Sequence, residues 1–130
     1  VFQVFVYGTL KPGETNYGYC AGRAIAQQTA IARGQLFALP IGYPAMGKGH
    51  GIVHGFVLGF RDPAILISLD TLEGFDPQRH PSNNEYQRQE IPIFTPSHRS
   101  LGKAWAYLML RDKIQGLGGK PIPHGYWQGP

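Results

Sequence analysis

Apolar and polar positions change period several times along the chain, and each change marks an element. Residues 2–7, Phe-Gln-Val-Phe-Val-Tyr, are aromatic and β-branched, which predicts a buried first strand. The run stops at Gly8-Thr-Leu-Lys-Pro-Gly13, a turn-rich loop. Residues 16–28 have no clean period. A helix over 24–32 fits in part, against the breakers Gly18 and Gly22. A strand is predicted over 30–39, a loop over 40–51 and a central strand over 52–60. In that last strand Ile52, His54, Phe56, Leu58 and Phe60 share one face, and Val53, Gly55, Val57 and Gly59 the other. Glycine at alternate positions points to close backbone approach or strong curvature, as in a small barrel.

The clearest helix is 63–73. Asp62 is a good N-cap, Pro63 suits the first helical position, and Gly74 supplies the stop. Ile65, Leu69 and Leu72 form one apolar stripe. A polar loop follows over 75–84. Residues 85–94 alternate as a strand, with Tyr86, Arg88 and Glu90 on one face and Pro92 marking an edge or bulge. After a turn region over 95–101, residues 103–110 form another strand, with Trp105 and Tyr107 on one face. Residues 116–130 read as a Gly/Pro-rich tail. The sum is one domain over 1–130, mostly β with one or two helices, its core within about 1–110 and its tail over 111–130.

Composition narrows the class. The chain has 130 residues, enough to bury a core without staples. Charged residues are only 15%, which argues against a disordered chain or a solvated coiled coil. Gly and Pro number 18 and 11, too many breakers for a helical bundle. The net charge of +4 comes from scattered Lys and Arg with no basic run, so nucleic acid is not the expected partner, and a small anionic substrate suits the charge. One cysteine, Cys20, excludes an intrachain disulfide and favours a reducing compartment. No apolar run is long enough for a membrane span, and no signal-peptide pattern is visible. The chain begins at Val1 rather than Met, which leaves a preceding address segment open.

Several motifs fall short of their chemistry. Gly8-Thr-Leu-Lys-Pro-Gly13-Glu14-Thr15 approaches a phosphate loop, but Glu14 stands where the lysine belongs and would repel phosphate. The same loop reads equally as a plain turn or as a set of free backbone N–H groups able to bind a carboxylate or an oxyanion. His50 and His54 have the i, i+4 spacing of helical metal ligands, yet on a strand they lie roughly 13 Å apart. No metal is expected, and His54 is expected to face the core or line a cleft. Cys20 and the serines lack a nucleophile context.

The carboxylates are few. Glu73 lies at the border of the buried helical stripe and closes the helix, where the negative dipole end disfavours its ionised form. A carboxyl raised in this way suits general acid/base work. On local pattern alone, a solvated Glu at a frayed helix end is the favoured reading.

Three stretches shift that balance. Val6-Tyr7-Gly8-Thr9-Leu10, Leu69-Asp70-Thr71-Leu72-Glu73-Gly74 and Glu85-Tyr86-Gln87-Arg88 occur in this order, and Gly42-Tyr43-Pro44-Ala45 and Ala106-Tyr107-Leu108 accompany them. Together they resemble the γ-glutamylcyclotransferase-like family of small β-barrel enzymes, over nearly the whole of residues 1–110. Thr9 stands where several members have Ser. The resemblance implies an α+β, mostly β fold: a small mixed β-barrel with one or two flanking helices. It implies a cytoplasmic, cofactor-independent enzyme that releases 5-oxoproline from a γ-glutamyl amino acid or amine. Glu73 is then the acid/base. The backbone of Gly8, Thr9 and Leu10 holds the substrate carboxylate or the oxyanion, and Tyr7, Tyr43, Tyr86 and Tyr107 line the cleft. Arg88 either pairs with a substrate carboxylate or makes a structural ion pair with Glu85 or Glu90. The alternatives are a non-catalytic small-molecule-binding barrel and, with less support, a nucleic-acid-binding barrel. Oligomeric state and leaving group are not legible.

Overall fold

The computed structural model describes residues 1–129. Pro130, the last residue of the predicted tail, lies outside the described residues. Strands β1 (Phe2–Val6), β2 (Ala26–Ala38), β3 (Pro44–Phe60), β4 (Gln87–Phe94) and β5 (Ser100–Leu108) close into a barrel. The order is β3-β1-β5-β4-β2, and β2 pairs back onto β3. The β1–β5 pair is parallel and the others antiparallel, so the barrel is mixed, as expected. A two-residue strand β6 (Lys120–Pro121) pairs with Phe37 and Ala38 at the end of β2.

Helix α1 (Ala64–Leu72) starts where the cap chemistry predicts. Asp62 Oδ1 accepts the Ala64 N–H at 2.9 Å, and Pro63 has helical dihedrals. The helix ends in a Schellman arrangement: Phe75 N donates to Asp70 O at 2.9 Å and Gly74 N to Thr71 O at 3.3 Å. Gly74 at φ 65° adopts the left-handed turn that a side chain would oppose. Glu73 is therefore placed by backbone geometry, at the first non-helical residue.

Two apolar clusters build the core. Phe5, Tyr7, Ala30, Ala32, Val53, Val57, Ile93, Ala104 and Ala106 belong to one. Val4, Val6, Leu58 and Phe60 join Ile65 and Leu69 of α1 in the other. The helix cannot sit inside a five-stranded barrel, so the first cluster is the interior and the second the outer face that α1 covers. Strand β1 sends alternate residues into both, which explains its near-continuous apolar pattern.

Three expectations are corrected. Residues 44–51, read as loop, are strand: β3 is 17 residues long and pairs Gln35 with Gly47 through Ala38 with Pro44. Their glycines are there for room. A Cβ on Gly47 would stand 2.9 Å from Arg111 Cδ, and one on Gly49 2.9 Å from Gln35 Cβ. The helical reading of 24–32 gives way to β2, which pairs from Ala26 opposite Gly59 onward. The segment read as a Gly/Pro-rich tail outside a core of about 1–110 contributes to that core. It carries α2 (Arg111–Gly116), whose Ile114 is buried, then β6, and Trp127 is buried in the interior cluster.

Candidate active site

The end of β1 runs straight into a loop at the barrel mouth. There Tyr7, Gly8, Thr9 and Leu10 line one wall of a pocket that is partly open to solvent. Glu73 comes from the end of α1, Tyr43 and Pro44 from the β2–β3 hairpin, Tyr86 from just before β4, and Tyr107 from β5. Phe5 and Val6 complete the lining.

Hydrogen bonds hold the tyrosines as a frame. Tyr7 OH donates to Tyr107 O at 2.6 Å and accepts from Met46 N at 3.1 Å. Tyr86 OH donates to Pro44 O at 2.6 Å. Tyr43 OH donates to a Glu85 carboxylate oxygen at 2.6 Å. Tyr107 OH donates to Asp70 Oδ1 at 2.7 Å. Burial pushes all four phenols up, Tyr43 to about 12, where the hydrogen bond to Glu85 adds to burial. They remain neutral O–H groups at neutral pH.

The loop offers donors. Among the described residues, the backbone N–H groups of Gly8, Thr9 and Leu10 donate to no carbonyl and to no side chain. The loop closes instead through its carbonyls: Lys11 N donates to Gly8 O at 3.0 Å and Asn16 N to Thr9 O at 2.8 Å. Unpaired amides at the edge of a pocket are a ready site for an anion.

Glu73 is the one acidic residue on the lining. Its carboxyl is pushed up to about 7, first by burial and then by the neighbouring charge of Glu85. At neutral pH it therefore exists in both proton states, the condition for passing a proton in either direction.

Arg88 is placed differently from either expectation. It does not line the pocket. Its Nη1 lies 3.1 and 3.0 Å from the two Asp70 carboxylate oxygens, rather than pairing with Glu85 or Glu90. Its guanidinium stands over the rings of Trp105, at 4.9 Å, and Phe75, at 5.5 Å. The reason is register: Arg88 pairs with Tyr107 across β4 and β5, so both side chains meet the same Asp70 on α1. Asp70 and Glu85 are the residues that the sequence reading missed. The signal for Asp70 was its place one turn before Glu73, facing the strand of Arg88.

The histidines stay away from this site. His54 is exposed and lines a shallow outer groove with His124 and Tyr126. Among the described residues, no group of three or more His, Cys, Asp or Glu is placed to hold a metal ion.

The family model for gamma-glutamyl cyclotransferase, AIG2-like proteins matches residues 4–129. The chain belongs to this family. The gamma-glutamylcyclotransferase family protein YtfP of Escherichia coli K12 is 34% identical over 125 residues, which cover 96% of this chain and 95% of that protein. The solution structure of ytfP from Escherichia coli superposes with a TM-score of 0.59 at 32% identity, covering 97% of this chain and 96% of that one. An AIG2-like protein from Mus musculus superposes with a TM-score of 0.71 at 23% identity, covering 99% and 95%, which shows a shared cyclotransferase fold. The family match extends past residue 110, so the C-terminal segment is part of the family fold.

Proposed function

We propose that this cyclotransferase-family chain releases 5-oxoproline from a γ-glutamyl amino acid or amine by intramolecular aminolysis. The observation that carries the reading is one pocket joining a carboxyl poised near pH 7 to three unpaired backbone amides. The substrate holds its own nucleophile, an α-amino group, and its own electrophile, a γ-carbonyl. Holding the two in contact removes most of the entropic barrier. The attacking nitrogen loses two protons between ammonium and lactam, and the leaving nitrogen gains two between amide and ammonium. Glu73, cycling between carboxylate and carboxyl, carries them in turn. As the new C–N bond forms, the carbonyl electron pair moves to oxygen; as the old C–N bond breaks, it returns. Amides at Gly8, Thr9 and Leu10 are suited to hold the α-carboxylate or that oxyanion. The tyrosine frame supplies neutral walls.

No helix among the described residues is long and apolar enough to cross a membrane. With its one cysteine, Cys20, buried, we place the activity in the cytoplasm.

The test is a product assay. The protein is incubated with γ-glutamyl dipeptides, γ-glutamyl-ε-lysine and glutathione, and 5-oxoproline is detected by mass spectrometry, with Glu73→Gln as control. Product that disappears in the variant supports the reaction and the role of Glu73. Product undiminished in the variant removes Glu73 from the chemistry. No product from any substrate with folded protein moves the reading to a binding role.

A further inference from the structure

Lys11 directly follows the three amides, and it is only 1% exposed. A buried ammonium is costly unless its charge is compensated. No carboxylate forms a salt bridge with it; among the described residues the ion pair is Arg88 with Asp70. Its partners lie instead in the C-terminal segment, 116 residues away in sequence. Lys11 Nζ donates to the carbonyl oxygen of Trp127. The same nitrogen sits over the Tyr126 ring, 3.8 Å from its centroid, a cation–π contact. Burial lowers the affinity of this amine for its proton, partly offset by Glu14.

Glu14 makes the second link. Its carboxylate oxygens accept the Gly129 N–H at 3.2 and 3.4 Å. The carboxylate that spoils the phosphate-loop pattern thus has a use. Among the described residues, the hydrogen bonds of residues 8–16 beyond their own turn and the next all end on Trp127 and Gly129. The segment is itself tied to the barrel: Ile122 N donates to Leu36 O, and His54 N to Gly125 O, both at 2.8 Å. Gly125, at φ 72°, is pressed so closely on the Ile52 carbonyl that no Cβ fits. Trp127 packs into the interior cluster that holds Tyr7.

We infer that Lys11 and Glu14 are positioning residues: through them the C-terminal strap over residues 122–129 sets the amides of Gly8, Thr9 and Leu10 in their substrate-binding arrangement. Neither touches the pocket, so both act through the loop. The role in substrate binding rests on the proposed reaction; the mechanical link does not.

Full-length Lys11→Met, Glu14→Ala and Glu14→Gln therefore need two readouts. Backbone 15N order parameters at residues 8–10 report the link without any substrate. They are expected to fall in Lys11→Met and Glu14→Ala, and to hold in Glu14→Gln, whose amide oxygen still accepts the Gly129 N–H. Steady-state kinetics on the best γ-glutamyl substrate report its use: with the amides on the α-carboxylate, KM should rise about tenfold in the first two with kcat nearly unchanged, the pattern of lost ground-state and transition-state binding alike, whereas with the amides on the oxyanion kcat should fall instead. The Gln variant should restore the constant that changed. A strap that served stability alone would lower the melting temperature and leave order parameters, KM and kcat at the wild-type values, which would overturn the inference. Wild-type protein with no turnover would defeat the reaction but still leave the link to be decided by the order parameters.

Discussion

Asp70 lies in the last turn of α1 and Glu73 caps that helix three residues on, yet Asp70 is compensated and Glu73 is not. Arg88 and Tyr107 both donate to Asp70. Among the described residues nothing donates to the Glu73 carboxylate, and its charged neighbour is another carboxylate, Glu85. The helix thus uses one acid as a structural anchor and leaves the other uncompensated at the pocket.

The pH dependence of catalysis follows. A base accepts a proton only when ionised, and the Glu73 carboxyl is raised from 4.5 to about 7. The kcat/KM profile should climb with pH and level off above a bend near 7. Glu85→Gln removes the like charge and should move that bend to lower pH. A wild-type profile flat from about pH 5 to 8 would remove Glu73 as the titrating base.

The same shift predicts a stability cost. The folded protein disfavours the ionised carboxyl, so its folded value lies above the unfolded one. Stability is intact below about pH 4.5 and is lost as pH rises through about 7. Glu73→Gln avoids the loss. It should be more stable than wild type at pH 8, by at most about 3 kcal/mol, the shift of 7 − 4.5 = 2.5 units at 1.36 kcal/mol each. The advantage should vanish near pH 4. Urea unfolding at the two pH values checks it; equal stability at pH 8 would mean that the carboxylate is solvated.

The Asp70 anchor should matter mainly to folding. Its ion pair with Arg88 is about one-fifth exposed on each side. Asp70→Asn leaves a guanidinium without its counter-charge, beside an Nε that already has no partner. The expected cost is about 1–3 kcal/mol, below that of a fully buried pair. Asp70→Leu with Arg88→Met should recover part of it, because both charges are gone. Strictly additive losses in denaturant titrations would show that the two side chains are uncoupled.

Elements written in local chemistry were legible. The Asp62-Pro63 start and Gly74 stop of α1 are cap signals, and they delivered Glu73 to its place. The buried β1 led directly to the loop at Gly8, Thr9 and Leu10. What failed depended on partners far along the chain. Gly47 and Gly49 read as loop because a glycine-rich stretch lacks strand propensity; the room needed by Arg111 and Gln35 explains them only once β2, β3 and α2 are packed. Arg88 was offered acids three residues or fewer away, while its partner lies 18 residues upstream on a helix. Lys11 looked like a loop lysine, since nothing nearby announces that Trp127 returns to cover it.

Two glycines on one face of β3 separate close approach from mere curvature. Gly55 and Gly59 are both buried and both have ordinary φ. A Cβ on Gly55 would run into the Val6 carbonyl oxygen and stand 3.0 Å from Phe5 Cζ. A Cβ on Gly59 would stand 3.4 Å from the Ala26 methyl, an ordinary contact. Gly59→Ala should therefore be neutral or stabilising by up to about 1 kcal/mol, because alanine narrows the unfolded ensemble. Gly55→Ala must push β1 outward and should cost about 1–3 kcal/mol, as other overpacked interiors do. The displaced carbonyl belongs to the residue before Tyr7, so the movement carries into Tyr7 and the amides beyond it. Activity per folded molecule should fall in Gly55→Ala and hold in Gly59→Ala. Melting curves and turnover measured on both variants check this, and equal behaviour of the two would mean that β1 does not cross β3 at the contact distance that sets the loop.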